Sequence, residues 1–365
     1  MTIRGHILGR QGVWQVRLQD GLVTHVESCA GESADWIFPG FFDIQVNGYL
    51  GIDLTSYELT PAQVGKMEQE LLDWGVTRWC PTVITAAPDL LRHSLRTLFR
   101  AEQEGLARLI HCYHLEGPYI SPKEGYRGIH PLEFIHPPDR AEFEGLQEAA
   151  GGRIGYVTLA PEQPGALNFI RYLSEKSIQV GLGHFEADEE LIRKAVAAGA
   201  RLSTHLFNGC NGVLDRHQNV VYSQLANDDL WASFIPDEYH IPYSTLLVGL
   251  RSKGMERSIF TSDLVKYAGS PSGTQIDPYG RSVIVKDEGL WLGGTKSLYG
   301  AWRTLAHDVV NLTVKKLLSI EEALRLSSVN PARFFGVAEQ FQIEIGSSAP
   351  LVVFQSDHRV FQIIQ

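Results

Sequence analysis

Two kinds of apolar spacing divide the chain. Near both ends apolar and polar residues alternate with a period of two, as in "VWQVRL" and "GLVTHVES" at the start and "FQIEIG", "APLVVFQ" and "RVFQII" at the finish. Alternation of that kind, bounded by Gly, Ser and Asp, predicts short strands. Between the ends the spacing changes. Eight apolar or β-branched runs follow one another: "FFDIQVN", "RWCPTVIT", "LIHCYHLEG", "IGYVTLAPE", "IQVGLGHF", "RLSTHLFN", "WASFIPD" and "SIFTSD". Segments of helical periodicity separate most of them. "PAQVGKMEQELLDWG" opens on Pro and closes on Gly, and "PDLLRHSLRTLFRAEQEG" and "ADEELIRKAVAAGA" are punctuated in the same manner.

Eight strand–helix alternations predict an α/β fold, a (β/α)8 TIM-like barrel over residues 39–339. The terminal strand sets predict one small β-sandwich domain built from residues 1–38 and 340–365. A doubly wound open sheet is the competing architecture. It calls for a Gly-rich phosphate turn after the first strand, and "NGYLGID" is a poor one.

Composition narrows the function classes. The 365 residues are 44% apolar and 20% charged, enough to bury a sizeable core. The formal charge of −10 argues against nucleic acid and anionic membranes as partners. A small anionic substrate stays compatible, because a pocket can be locally positive. Cys29, Cys80, Cys112 and Cys210 form no C-x-x-C pair, which fits a reducing, cytoplasmic setting. The first residues show no signal-peptide pattern, and no apolar run approaches a membrane span.

In barrels of this kind the chemistry gathers at the C-terminal ends of the strands. The first run ends in Gln45 and Asn47, the third in His114 and Glu116, the fifth in His184, and the sixth in His205 and Asn208. The seventh ends in Asp237 with His240 beyond it, and the eighth in Asp263. Singly, each has a plain reading. A lone histidine among 13 is more often a surface or hydrogen-bonded residue than a ligand, so His6, His25, His93 and His358 are read that way. Asp237 reads as a helix N-cap.

Together, Glu116, His184 and His205 share one rim. Two histidines and a carboxylate are a common ligand set for catalytic zinc, with a position left for water. The alternative is a buried polar network without metal. Asp263 stands on the last strand, next to the first in a closed barrel. It has the chemistry to take a proton from water and hand it to a leaving amine. Gln45 and Asn47 occupy the place where a two-metal hydrolase carries His-x-His, and amides are poor zinc ligands.

These segments also carry a resemblance. "PGFFDIQVNG" (39–48), "HLEGPYISP" (114–122), "TLAPE" (158–162), "GLGHF" (181–185), "THLFN" (204–208) and "SVNPARFFG" (328–336) resemble the N-acetylglucosamine-6-phosphate deacetylase family of the amidohydrolase superfamily. The matches recur in order from about residue 39 to the C-terminus. The resemblance implies hydrolysis of the acetamide of N-acetylglucosamine 6-phosphate to glucosamine 6-phosphate and acetate. It implies one divalent ion, zinc or alternatively iron or another metal, on Glu116, His184 and His205, with Asp263 as acid/base. It places a substrate-contacting and catalytic histidine on His130 and further substrate contacts on Asn208, Gly209 and His240. It places a phosphate-reading arginine on Arg216, which in the family reaches the neighbouring subunit's site, so a homodimer is implied. "WLGG" (291–294), with Leu292, Gly293 and Gly294, resembles the loop that borders the sugar. Family members with Gln-x-Asn on the first strand are understood to run on one metal.

The sequence departs from the family at "HLFNGCNG", "SDLV", "PDEYH" and the Glu-Ala-Asp that follows "GHF". The metal and proton-transfer groups survive these departures, whereas the sugar-contacting positions change more. Three alternatives follow: a deacetylase of another 2-acetamido sugar phosphate such as the galacto isomer, an amidohydrolase opening a cyclic amide, and a non-catalytic sugar-phosphate binding protein.

Overall fold

The computed structural model describes residues 1–277, 279–295, 297–347, 350–355 and 360–363. His358, read above as a plain histidine, lies outside them.

All eight expected runs are strands of one parallel sheet. They are Phe41–Val46, Val76–Ile84, Tyr113–Glu116, Ile154–Leu159, Gln179–Leu182, Leu202–Ser203, Trp231–Phe234 and Ser258–Phe260, each beside its sequence neighbour. The sheet curls until its edges meet. Val46 bridges Leu264 in parallel, the Asn47 amide donates to the Leu264 carbonyl at 2.8 Å, and the Asp263 amide donates to the Gln45 carbonyl at 3.0 Å. The near-closed sheet is the (β/α)8 barrel that the spacing predicted.

Helices cover the outside because their apolar residues recur on one face. Pro61–Asp73 buries Val64, Met67 and Leu71, and Thr60 and Gln63 close its start as a capping box. Gly75, at φ 79°, turns the chain into the second strand. Inside, Phe42, Ile44, Cys80, Tyr156 and Ile259 fill the barrel, and Phe341 stacks on Phe42 from below with ring centroids 5.6 Å apart.

The chain termini build a separate six-stranded sheet. Thr2–Ile7 pairs antiparallel with Val13–Gln19 through residues 2–5 and parallel with Trp36–Phe38 through residues 6–7. Leu351–Phe354 joins from the other end of the chain, antiparallel to Trp36–Phe38. One strand therefore serves two pairings, and Ile7, Val16, Ile37, Leu351 and Val353 pack beneath them.

The element that follows the barrel strands was not expected. After the eighth barrel strand, Gly273–Ile276, Ser282–Lys286, Gly289–Leu292 and Leu298–Gly300 form a four-stranded antiparallel sheet. The segment expected to be a sugar-bordering loop is thus the end of a strand and the turn after it.

Candidate active site

Three of the strand-end residues have left-handed backbone. His184 has φ 53°, His205 φ 34° and Asp263 φ 56°. Side chains rarely adopt this region, and it clusters where surrounding structure forces a functional group into position. Here the chain kinks as it leaves the fifth, sixth and eighth strands and tips each side chain over the barrel mouth. Glu116 ends the third strand, and its side chain is 4% exposed. Gly128 and Gly209 lie against the His184 ring. A Cβ on Gly209 would approach that ring to 2.9 Å, so this position needs glycine for space as well as for its φ of 59°.

Glu116 Oε1 is the meeting point. His205 Nε2 lies 2.9 Å from it, Gln45 Nε2 3.0 Å and His184 Nε2 3.5 Å. His184 Nδ1 sits 2.7 Å from the Tyr126 carbonyl, which can only accept. Nδ1 therefore carries a proton, and Nε2 is the nitrogen turned toward the carboxylate. His130 stands edge-on to His184 with ring centroids 4.6 Å apart, and its Nδ1 is tied to Thr85 Oγ1 at 2.8 Å. Glu116, His130 and His184 bring one ligand atom each within 4.8 Å of one another. His130, expected as a substrate contact, thus stands inside the same cluster.

Asp263 completes the group. Its Oδ1 accepts from Asn47 Nδ2 at 2.7 Å and from Gln45 Nε2 at 3.0 Å. Gln45 bridges Asp263 and Glu116, a relationship that sequence reading missed. Beneath them His114 is fully buried between Thr82 Oγ1 at 3.2 Å and Thr158 Oγ1 at 2.8 Å, and it stacks on Tyr156 at 3.8 Å. It supports the cluster from within the barrel.

The donor set fits a divalent cation. Two imidazole nitrogens crowd one carboxylate oxygen, while the buried His205 Nδ1, Gln45 Oε1, Asn47 Oδ1 and Asn208 Nδ2 have no hydrogen-bond partner among the described residues. Such a cluster of buried polar atoms is costly unless something compensates it. The electrostatics agree. Burial pushes the Glu116 carboxyl up, but hydrogen bonds and charge from His184 and His205 override it and hold it well below its ordinary value. Burial lowers His205, and Glu116 more than restores it, so the net shift is upward. A bound cation would supply the counter-charge that this buried carboxylate calls for. Burial, then the Glu116 charge, lifts Asp263 to about 6. Burial, then His184, lowers His130 to about 3, which keeps it neutral.

Around the cluster lies a cavity of about 340 Å³. Asn208, Gly209 and His240 line it, as do Tyr239 and Trp291, which the sequence had not singled out. The "WLGG" segment contributes Trp291 rather than the three residues expected. Leu292 packs against a separate apolar cluster, the Gly293 amide donates to the Ser282 carbonyl at 2.8 Å, and Gly294 turns the chain at φ 76°. Arg216 lies in an exposed loop and does not line the cavity. Among the described lining residues there is no Lys or Arg. Asp237 caps no helix; the helix Tyr243–Lys253 begins after Pro242 instead, and Asp237 binds His240.

A parallel barrel with an acid, histidines and an aspartate gathered at its strand ends, beside a small sheet made from both termini, defines an amidohydrolase-type enzyme, a carbon–nitrogen bond hydrolase. Comparison with known proteins narrows this. No protein-family profile matches the chain. It is 30% identical over 353 residues to N-acetylglucosamine-6-phosphate deacetylase of Vibrio furnissii, covering 94% of this chain and 86% of the relative. It is also 30% identical over 362 residues to N-acetylgalactosamine-6-phosphate deacetylase of Escherichia coli O157:H7, covering 96% and 92%. The fold matches the crystal structure of N-acetyl-D-glucosamine-6-phosphate deacetylase from Mycobacterium smegmatis with a TM-score of 0.87 at 25% identity, over 100% of this chain and 98% of that one. The chain belongs to the N-acetylglucosamine-6-phosphate deacetylase family.

Proposed function

We propose that the chain removes the acetyl group from N-acetylglucosamine 6-phosphate, giving glucosamine 6-phosphate and acetate. The observation that carries this is the convergence of His184 and His205 on Glu116 Oε1, with Asp263 linked to the same oxygen through Gln45. Glu116, His184 and His205 would hold one divalent cation, zinc or iron by the chemistry of an N₂O set. His184 and His205 are preferred to His130 as ligands because both reach Glu116 directly, whereas Thr85 holds the His130 ring.

The cation, when bound, supplies Lewis acidity to the acetyl carbonyl and acidifies a water. Asp263 takes a proton from the attacking water and delivers it to the amide nitrogen as the carbon–nitrogen bond breaks. Its upward pKa suits both tasks. Neutral His130 keeps its Nε2 for a hydrogen bond to the carbonyl oxygen as negative charge grows there. Gln45 and Asn47 steer Asp263 and are poor ligands, so one cation per chain is the expected complement.

A phosphate needs positive charge, and the described cavity wall has no Lys or Arg. Arg216, exposed on its loop, suits a role in the site of a second copy, which makes a homodimer part of this reading. No described helix is long and apolar enough to cross a membrane. The four free cysteines support placement in the reducing cytoplasm.

A second reading has its own support. The galacto-substrate relative is as similar to this chain as the gluco one, so N-acetylgalactosamine 6-phosphate is the alternative substrate. The test is acetate release from both sugar phosphates and from unphosphorylated N-acetylglucosamine, alongside metal analysis of the purified protein. Turnover of N-acetylglucosamine 6-phosphate in preference to the others, with one metal per chain, supports the proposal. Turnover of the unphosphorylated sugar alone overturns it.

A further inference from the structure

Asp237 follows the seventh barrel strand and is 2% exposed. Its Oδ1 accepts the backbone N–H of Tyr239 at 2.9 Å and of His240 at 2.8 Å. Its Oδ2 lies 2.7 Å from His240 Nδ1. Arg303 braces the turn from outside, donating to the Asp237 carbonyl at 3.0 Å while its Nε pairs with Glu288. Glu238 passes through φ 71° to make the turn this tight. One carboxylate therefore fixes both the backbone and the ring of His240.

With Nδ1 occupied, Nε2 is the nitrogen that His240 offers to the cavity it lines. Three titratable groups act on the ring: Asp237 from its own turn, Asp263 from the eighth strand and His205 from the sixth. Burial and His205 favour the neutral ring, but the charge and hydrogen bond of Asp237, aided by Asp263, override them and raise the His240 pKa above its ordinary value. A buried aspartate that charges and orients an imidazole is a familiar route to a directed cation. It matters here because the described cavity wall contains no Lys or Arg.

We infer that Asp237 is a positioning residue that holds His240 as an Nε2–H donor toward an anionic oxygen of the substrate. Recognition of negative charge then begins within this chain and does not depend wholly on a loop from another copy. The inference rests on the proposed anionic substrate, and its test separates the two.

Asp237→Asn and His240→Gln are made singly and together in the metal-loaded enzyme. Steady-state kinetics on N-acetylglucosamine 6-phosphate are run across pH, and inorganic phosphate binding is measured by calorimetry, which needs no turnover. Asp237→Asn is expected to raise KM and the phosphate Kd about tenfold or more, with kcat changed less than about threefold. The double variant is expected to be no worse than His240→Gln, because Asp237 acts through that ring. In the wild type, 1/KM falls as pH rises through the raised His240 pKa, and Asp237→Asn moves the fall to lower pH. An unchanged KM and Kd, a loss confined to kcat, or additive single effects overturn the inference. If Asp237→Asn does not fold, His240→Gln decides: unchanged phosphate binding overturns the inference, and a tenfold or greater loss supports it, in the sense of a charge-assisted contact. Wild-type protein that binds phosphate through this pair yet releases no acetate from the sugar phosphate overturns the proposed substrate and leaves the inference standing.

Discussion

Asn47 Nδ2 lies 2.7 Å from Asp263 Oδ1, a side-chain bridge across the seam where the first and eighth barrel strands meet. Gln45 donates to the same oxygen and to Glu116. Both amides act on Oδ1, so Oδ2 is the oxygen left to carry a proton. The residues in the place where a two-metal hydrolase carries His-x-His thus guide the proposed acid/base.

Loss of one guide should cost rate rather than metal. Asn47→Ala is expected to lower kcat about 10- to 100-fold, the range typical of removing an orienting partner. Metal content should stay near one per chain. Emission spectroscopy and initial rates on one preparation check both, and two tightly held equivalents in the wild type would contradict the single-ion reading.

Asp263→Asn removes the proposed proton carrier but keeps its hydrogen-bonding shape. It is expected to reduce kcat by about a thousandfold or more, within the span of general acid–base contributions, with metal still bound. Near-normal turnover would reject Asp263 as the acid/base.

Glu186 is one of the departures from the family pattern, and the structure gives it a task. It accepts from Lys123 Nζ and from the Tyr126 hydroxyl at 3.3 Å, clasping the loop whose Tyr126 carbonyl orients His184 and which also carries His130. The Lys123 pair is exposed and contributes little stability by itself. Glu186→Ala should therefore leave the melting temperature nearly unchanged while weakening metal binding about tenfold, as loss of support around a ligand does. Chelator competition measures the metal affinity, and an unchanged value would show the clasp to be idle.

Asp43 offers a pH test away from the cluster. Burial raises it to about 6, and hydrogen bonds from Ser262 and Thr261 only partly offset this. Its Oδ2 is buried without a hydrogen-bond partner among the described residues. The folded state then binds more protons than the unfolded state between the ordinary value of 3.8 and about 6, so stability is lost as pH rises through that window. Two units correspond to up to about 3 kcal/mol. Urea unfolding at pH 4.5 and pH 7.5 should show Asp43→Asn gaining on wild type at the higher pH, and a pH-independent difference would refute it.

Apolar runs separated by segments of helical spacing were enough to place all eight barrel strands, because buried parallel strands read as apolar runs bounded by turns. That Glu116, His184, His205 and Asp263 gather at one rim was legible because each stands at or just past the end of such a run. The sheet at 273–300 was not legible. Its first strand, "GTQI", is exposed throughout, so no alternation marks it. The Gln45 bridge and the Asp237–His240 pair depend on how strands seventy-one residues apart, or a tight turn, bring side chains together, and single-strand patterns do not record that.

The strand Trp36–Phe38 takes its place between Thr2–Ile7 and Leu351–Phe354. During synthesis it waits for a partner roughly three hundred residues downstream, and until then one edge of it is free to pair with any extended chain nearby. All eight barrel strands are made in the interval, since the last of them ends at Phe260. The small sheet can close only once Leu351–Phe354 has been made, and until then its open edge is a place for unwanted strand pairing.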